Sequence, residues 1–165
     1  VNDDTLVDLA RKFHGTPHVV RFIEYMDVGT MNGWRMEEVV PGAEIVERIS
    51  AEMPLTPVDP TYPGEVARRY RYRDGSGEIG VITSVTRPFC GGCTRARLSA
   101  DGKLYTCLFA TQGTDLKTPL RAGADDDELA ELIAGVWRAR ENRYSELRTG
   151  ETTAQPKVEM SYIGG

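Results

Sequence analysis

The sequence predicts an α/β fold, and three features of the residue pattern support that prediction. Residues 3–13 have helical periodicity and are followed, across a short loop, by a strand-like run at 18–26. A second amphipathic helix is predicted at 42–53. Two hairpin patterns and a third helical pattern complete the chain. A helix followed by a strand is one step of a parallel α/β architecture, so we expect the chain to begin as α/β and to continue as an α+β module.

The first helix is predicted by four apolar residues at i, i+3, i+4 and i+7, namely Leu6, Leu9, Ala10 and Phe13. Asn2 or Asp3 can cap its start, and Gly15 and Pro17 end it. The strand "HVVRFIEYM" follows and is rich in β-branched and aromatic residues. Because one helix–strand step cannot close a sheet, we expect the remaining strands to lie before Val1, and "VNDD" resembles the middle of a longer protein.

The second helix has Ile45, Val46 and Ile49 on one side. The proline-rich stretch "PLTPVDPTYPGE" follows it directly and is typical of a connector between modules. The sequence therefore predicts two domains, at 1–54 and 55–165.

Two hairpins are predicted after the connector. The first, "ARRYRYRDGSGEIGVITSV", turns at "DGSGE", and the second, "RARLSADGKLYTCLF", turns at Asp101-Gly102. We expect the second hairpin to bring Cys107 back beside Cys90 and Cys93.

The third helix is predicted at 123–137. Three acidic residues, Asp125 to Asp127, favour its N-terminus through the helix dipole. Its apolar residues predict a buried stripe formed by Leu129, Leu132, Ile133 and Val136.

The charge and hydropathy of the chain exclude some partners. The net charge is −5, which argues against general nucleic-acid binding. No apolar run approaches the roughly 18 residues of a membrane span, and no signal peptide is evident, so we expect a cytoplasmic protein. The arginines cluster at 67–73, 93–98 and 137–143, which suggests a small anionic ligand. The alternative is that these clusters are solvated faces of strands and helices.

The three cysteines, Cys90, Cys93 and Cys107, are spaced as Cys-x2-Cys-x13-Cys. A Cys-x2-Cys turn directs two sulfurs to one metal, and the glycine pair inside it is expected to let the backbone curl tightly. Thiolate ligands are favoured over a disulfide in a reducing compartment. Three interpretations stay open: buried thiols without a ligand, a zinc site closed by His14 or His18, and an iron–sulfur cluster with one iron left open for a substrate atom.

Two arginines, Arg95 and Arg97, follow the cysteine turn. Because Arg95 and Arg97 are two residues apart, their side chains would point to the same face of a strand. The arginine guanidinium suits bidentate contact with phosphate. The pair predicts a phosphate-bearing ligand with a nitrogen or oxygen donor for the metal. The alternative is a solvated pair on an edge strand.

Four stretches together resemble the C-terminal half of the MoaA family, the radical-SAM GTP 3′,8-cyclases of molybdenum-cofactor biosynthesis. They are "RFIEYM", "FCGGCTRARLSADGKLYTCLF", "LRAGADDDEL" and the terminal "GG". The resemblance runs over essentially the whole chain. It implies the last βα elements of an incomplete (βα) barrel at 1–54, followed by an α+β domain at 55–165 that binds an iron–sulfur cluster and GTP.

The resemblance also implies roles for single residues. Cys90, Cys93 and Cys107 would hold a four-iron four-sulfur cluster whose open iron binds the guanine of GTP. Arg95, Arg97 and Arg21 would contact GTP, and Met26 would lie near S-adenosylmethionine. Gly164 and Gly165 would belong to a tail that enters the active site. The alternatives are an ion pair for Arg21, core packing for Met26 and a frayed terminus for the two glycines.

The chain departs from the family in lacking the Cys-x3-Cys-x2-Cys motif of the radical-generating cluster. We therefore assign no catalytic residue to this half and expect it to be inactive alone. The intact lyase is expected to use a second cluster and S-adenosylmethionine to take hydrogen from C3′ of GTP, which gives 3′,8-cyclo-7,8-dihydro-GTP. The expected partners are GTP, the missing N-terminal half and, from the family, a second copy in a homodimer. The alternatives are a zinc-stabilised module that binds a partner protein and a sulfur carrier, although the latter has no use for three clustered cysteines.

Overall fold

The computed structural model describes residues 2–149, 153 and 155–163. It has a mixed α/β fold with one four-stranded and one three-stranded sheet, which confirms the α/β prediction at that level. None of the described helices is both long and apolar enough to cross a membrane.

The chain forms two compact units. The first unit consists of Val1–Met26 and Trp34–Cys93, and the second of Asp27–Gly33 and Thr94–Gly165. These bounds describe packing and differ from the predicted domains 1–54 and 55–165, whose division stays a prediction.

The first unit is built on the four-stranded sheet, with the strand order β1-β4-β3-β2. Strand β1 is parallel to β4, whereas β3 runs antiparallel to both β4 and β2. The elements are α1 (Leu6–Phe13), β1 (Val20–Ile23), α2 (Gly42–Glu52), β2 (Leu55–Val58), β3 (Arg68–Tyr72) and β4 (Glu78–Ile82). The first two predicted helices and the first hairpin are confirmed, while the strand predicted at 18–26 is shorter.

The core of the first unit lies where α1 and α2 cover the sheet. Most of the apolar residues whose spacing predicted the two helices are inside it, whereas Leu9 is 39% exposed. In β1 Phe22 is buried in the core and Val20, on the same face, packs against it, because side chains alternate along a strand. The buried cluster comprises Leu6, Ala10, Phe22, Ile45, Ile49, Leu55, Tyr72, Ile79 and Val81.

The second unit contains a small antiparallel sheet in the order β5-β6-β7. The predicted second hairpin is confirmed, and Gly102 at its turn has φ of +85°, a conformation that glycine adopts without strain. The elements are β5 (Arg97–Leu98), β6 (Lys103–Tyr105), β7 (Thr114–Asp115), α3 (Lys117–Arg121) and α4 (Asp126–Arg138).

Helix α4 starts as predicted but is less buried than predicted. Asp125 accepts a hydrogen bond from the Glu128 backbone at 2.9 Å, and the Glu128 side chain accepts one from the Asp125 backbone at 3.1 Å. This reciprocal capping fixes the first turn. Ile133 is 41% exposed and no residue of the helix is fully buried, because no described helix or strand packs along its length.

Candidate metal and nucleotide site

Cys90 and Cys93 stand at the two ends of one short 3-10 turn, Cys90–Gly92, in the first unit. The Cys93 backbone N–H donates to the Cys90 carbonyl at 3.2 Å. Neither Gly91 nor Gly92 has a positive φ, and no atom lies within 4 Å of the place where a Cβ would sit. The turn therefore does not depend on its glycines for a special backbone conformation, because a 3-10 turn uses φ values that every residue adopts.

Cys107 belongs to the second unit and follows strand β6. Its Sγ accepts a hydrogen bond from the Phe109 backbone N–H at 3.5 Å. The Phe109 ring is buried and stacks on Tyr144 with the centroids 4.4 Å apart. The thiolate, not the thiol, is the form of cysteine that binds metals.

The two arginines after the cysteine turn are in different local structures. Arg97 lies in β5 opposite Tyr105, whereas Arg95 precedes the strand. The argument from strand alternation therefore applies to Arg97 alone, and the expectation that the strand fixes both on one face is wrong. Arg95 is exposed and Arg97 is half-buried.

The remaining residues implied by the resemblance fall in three places. Arg21 is exposed on β1 beside Gly80 of β4, and the Arg21 Cγ would lie 3.3 Å from a Cβ built on Gly80. Met26 is half-buried and is the last residue before the chain enters the second unit. The tail residues Gly164 and Gly165 lie outside the described residues.

The donor chemistry of the three cysteines fits an iron–sulfur cluster, because such clusters are bound by thiolates. Each cysteine side chain is half-buried. Within the described part of the chain, however, no set of three or more His, Cys, Asp or Glu side chains is grouped so that it could hold a metal ion. The convergence of the three thiolates on one metal is therefore a proposal.

The two histidines offered for a zinc site have other contacts in the first unit. His14 Nε2 lies 2.6 Å from Ser76 Oγ and 3.0 Å from Asp74 Oδ2, at the β3–β4 turn. The His18 ring meets the Phe13 ring edge-on, with the centroids 5.9 Å apart. These contacts give no support to a zinc site closed by either histidine.

The arginine cluster at 67–73 contains ion pairs on the face of a strand. Glu78 accepts hydrogen bonds from Arg69 Nη2 at 2.5 Å and from Arg71 Nη2 at 2.7 Å. The Arg71 and Arg69 contacts lower the pKa of Glu78 against the opposing effect of burial. For Arg69 and Arg71 the geometry therefore supports the alternative interpretation, residues on a strand face, over contact with an anionic ligand.

Asp27 is a buried acid that the sequence analysis did not single out. Its side chain is 3% exposed, and it accepts hydrogen bonds from Lys157 Nζ at 2.9 Å, from Arg148 Nε at 3.1 Å and from the Tyr144 hydroxyl. Burial acts to raise the pKa of Asp27, but these three donors outweigh it and lower the pKa. The sequence signal was an acid placed directly after the apolar and aromatic stretch "RFIEYM".

Glu24, inside the same stretch, is a second buried acid without an assigned role. It is 2% exposed and follows the last residue of β1. Its carboxylate accepts hydrogen bonds from the start of α2 and from the turn that leads from β4 to Cys90.

The class of this α/β chain with a Cys-x2-Cys turn is shown by comparison with known families. The family model described as Molybdenum Cofactor Synthesis C matches residues 18–146. The chain therefore belongs to the Molybdenum Cofactor Synthesis C family.

Curated relatives agree with the family match. The chain is 50% identical to a GTP 3′,8-cyclase of Acidothermus cellulolyticus, 52% identical to one of Xanthomonas campestris pv. campestris and 46% identical to one of Synechococcus sp.. In each comparison all of this chain is covered, but only 52%, 48% and 46% of the relative. The resemblance found in the sequence is confirmed, and the chain spans about half the length of these relatives. The family and the relatives' names support a role in molybdenum-cofactor synthesis.

Proposed function

We propose that this chain is the C-terminal part of a GTP 3′,8-cyclase and that it binds GTP beside a four-iron four-sulfur cluster. The observation that supports this most strongly is the similarity, over all of this chain and about half of each relative, to proteins named for that activity, in a chain with all its cysteines in one segment. The intact lyase would act on GTP with S-adenosylmethionine and give 3′,8-cyclo-7,8-dihydro-GTP.

Cys90, Cys93 and Cys107 would hold the cluster. When bound through three thiolates, the cluster supplies one open iron as a Lewis-acid position for a donor atom of guanine. The protein's own contribution is to bind and orient: Arg95, Arg97 and Arg21 offer forked N–H donors to phosphate oxygens. Met26 would lie against S-adenosylmethionine, and Gly164 and Gly165 would close the site.

The proposed fold of the intact protein is an incomplete (βα) barrel to which α1, β1 and α2 contribute. Strand β1 is at the edge of the described sheet and is parallel to β4. The Ile23 side chain of this strand is 54% exposed, and Val19, the residue before the strand, is 50% exposed. An apolar, exposed edge strand supports the proposal that further strands, from the remaining half of the protein, continue the sheet.

The first test is cluster assembly in the protein at its natural length. After anaerobic reconstitution we expect iron and sulfide for two clusters, and we expect Cys90→Ala to lose the iron and sulfide of the cluster assigned to this chain. Gly91→Ala is the matched control, because it changes the same turn at a position where a methyl group meets no atom within 4 Å. A colourless, iron-free protein, or equal iron in both variants, would contradict the proposal.

The second test asks whether GTP binds to the cluster. Adding GTP is expected to change the electron paramagnetic resonance spectrum of the reduced cluster, because a guanine donor atom would change the coordination of the open iron. A pyrimidine nucleotide such as CTP serves as the control. An unchanged spectrum, together with stoichiometric zinc in protein purified without iron, would favour the zinc-stabilised binding module.

A further inference from the structure

Glu24 contributes both carboxylate oxygens to a buried network in the first unit. Oε1 accepts hydrogen bonds from the Gly42 N–H at 2.7 Å and from the Thr86 hydroxyl at 2.5 Å. Oε2 accepts from the Val85 N–H and the Thr86 N–H, each at 2.8 Å. A carboxylate that is 2% exposed is tolerated only when its oxygens are satisfied in this way.

The network joins three segments that are distant in sequence. Glu24 continues β1, Gly42 is the first residue of α2, and Val85 and Thr86 belong to the turn that follows β4. The turn is closed further by the Arg87 N–H, which donates to the Thr83 carbonyl at 3.3 Å. Three of the four donors are backbone N–H groups and the fourth is the Thr86 hydroxyl, so the carboxylate fixes where those segments meet.

Gly42 allows this close approach. A Cβ at this position would overlap Thr83 Cγ2 and would lie 2.9 Å from Val81 Cγ1 and 3.3 Å from Glu24 Oε1. The N-terminus of α2 is therefore in contact with the end of β4, and its partial positive charge favours the Glu24 carboxylate there.

We propose that Glu24 is a positioning residue for the cysteine turn, an inference that rests on the proposed function. Thr86 is four residues before Cys90, so the hydrogen bonds at Val85 and Thr86 set where the segment carrying Cys90 and Cys93 begins. Glu24 is also three residues after Arg21 and directly follows the strand that contains Arg21. One carboxylate thus fixes the strand end that bears Arg21 relative to the start of the cysteine segment.

A purely structural role makes a different prediction. If Glu24 only stabilised the first unit, its variants would lower the folded fraction, but each folded molecule would keep the parent's cluster and GTP response. If Glu24 positions the cysteine turn, the folded molecules themselves would change. Outer partners that orient metal ligands typically alter metal affinity or activity about 10–100-fold when they are removed.

The experiment compares Glu24→Ala, Glu24→Gln and Thr86→Val in the protein at its natural length, reconstituted anaerobically. Glutamine keeps the volume but places an N–H₂ group against donors, and Thr86→Val removes one hydroxyl donor without changing the shape. We expect the KM for GTP to rise, or iron binding to weaken, about 10–100-fold in Glu24→Ala, with smaller effects in Glu24→Gln and the smallest in Thr86→Val. The spectrum of the reduced cluster, recorded with and without GTP on the folded fraction, should shift in the same order.

Glu78→Gln is the matched control, because it neutralises a second carboxylate of the same sheet that contacts only Arg69 and Arg71 in the described hydrogen bonds. It should lower stability without altering the spectrum or the KM. Parent-like spectra and KM values in Glu24→Gln and Thr86→Val would overturn the inference, even if Glu24→Ala fails to fold. Iron and sulfide contents in Cys90→Ala equal to those of the parent would instead overturn the proposed function, so the two failures are distinguishable.

Discussion

At the scale of single residues, Gly42 shows how the absence of a side chain determines packing. Gly42→Ala would force a methyl group against Thr83 and Val81, so we expect it to destabilise the protein by about 1–3 kcal/mol, the usual cost of overpacking. Urea-induced unfolding would measure this change.

Gly135→Ala provides the control for Gly42→Ala. Gly135 lies inside α4, and nothing lies within 4 Å of its absent Cβ. Alanine is a better helix former than glycine by about 0.8–1.0 kcal/mol, so this variant should be more stable than the parent. An equal loss of unfolding free energy in both variants would show that the contacts around Gly42 do not cause the destabilisation by Gly42→Ala.

Asp27 is a second residue whose side chain strongly affects stability, because its carboxylate contacts two buried cations. Asp27→Asn would leave Lys157, whose side chain is 2% exposed, and Arg148, at 8%, facing a neutral amide. Breaking a buried pair in this way costs about 3–5 kcal/mol. We expect a loss of that size in urea unfolding, and Lys157→Met added to Asp27→Asn should recover part of it. A double variant as unstable as the sum of the two single variants would contradict a direct Asp27–Lys157 interaction.

At the scale of elements, the C-terminal segment 155–163 is held to the second unit by side-chain contacts. The Glu159 carboxylate accepts hydrogen bonds from Thr30 N–H at 2.8 Å and Thr30 Oγ1 at 2.7 Å, and the Tyr162 hydroxyl donates to Asp101 at 2.5 Å. Asp101 lies at the β5–β6 turn, where Ser99 and then Tyr162 lower its pKa. The segment that ends next to the terminal glycines is therefore attached to the hairpin that follows Arg95 and Arg97.

Tyr162→Phe removes one of these attachments. We expect faster amide hydrogen exchange in 155–163, while exchange in α1 and α2 is unchanged, because local attachments are lost without global unfolding. The control is Tyr62→Phe, which alters a tyrosine that is 57% exposed. Identical exchange in the two variants would show that the Tyr162–Asp101 hydrogen bond does not hold the segment.

The elements that the sequence predicted well have strong local signals. Helices α1, α2 and α4 follow apolar periodicity, and both hairpins have turn residues in the expected places. Strand β2 was missed because it lies in the proline-rich connector, where Pro57 is tolerated at the edge of the described sheet. Helix α3, with five residues, is too short for a periodic pattern.

The same contrast holds for the candidate site. The spacing of Cys90 and Cys93 is local, so the sequence alone showed their turn. The partners of Glu24 are 18, 61 and 62 positions away, and Asp27 meets Tyr144, Arg148 and Lys157 from 117 to 130 positions away. No periodicity or motif records such contacts, since they depend on how the completed fold brings segments together.

At the scale of the whole molecule, the carboxylates predict how stability depends on pH. Several acids have a pKa below the ordinary value, because hydrogen-bond donors and cations stabilise their charged forms: Asp27, Asp74, Glu78, Asp101, Asp115 and Glu159. Below the ordinary pKa of about 3.9 for Asp and 4.3 for Glu, the unfolded chain binds these protons more readily than the folded one. Their contribution to stability is therefore fully present above that range and is lost as the pH falls.

We accordingly expect the urea midpoint to be level above about pH 5.5 and to fall steadily between about pH 4.5 and 2. Added salt should weaken the part of this dependence that comes from exposed charge pairs such as Asp101–Lys103, since exposed charges are screened. It should leave the parts that come from hydrogen bonds of neutral groups to Asp101 and Glu159 and from buried Asp27. Asp27→Asn should therefore reduce the pH dependence of the urea midpoint that remains at high salt. It should also lower the urea midpoint at neutral pH. The pH dependence of the urea midpoint at high salt could instead be the same in the parent and in Asp27→Asn. That result would show that Asp27 does not keep its charge in the fold and that other groups cause the loss of stability in acid.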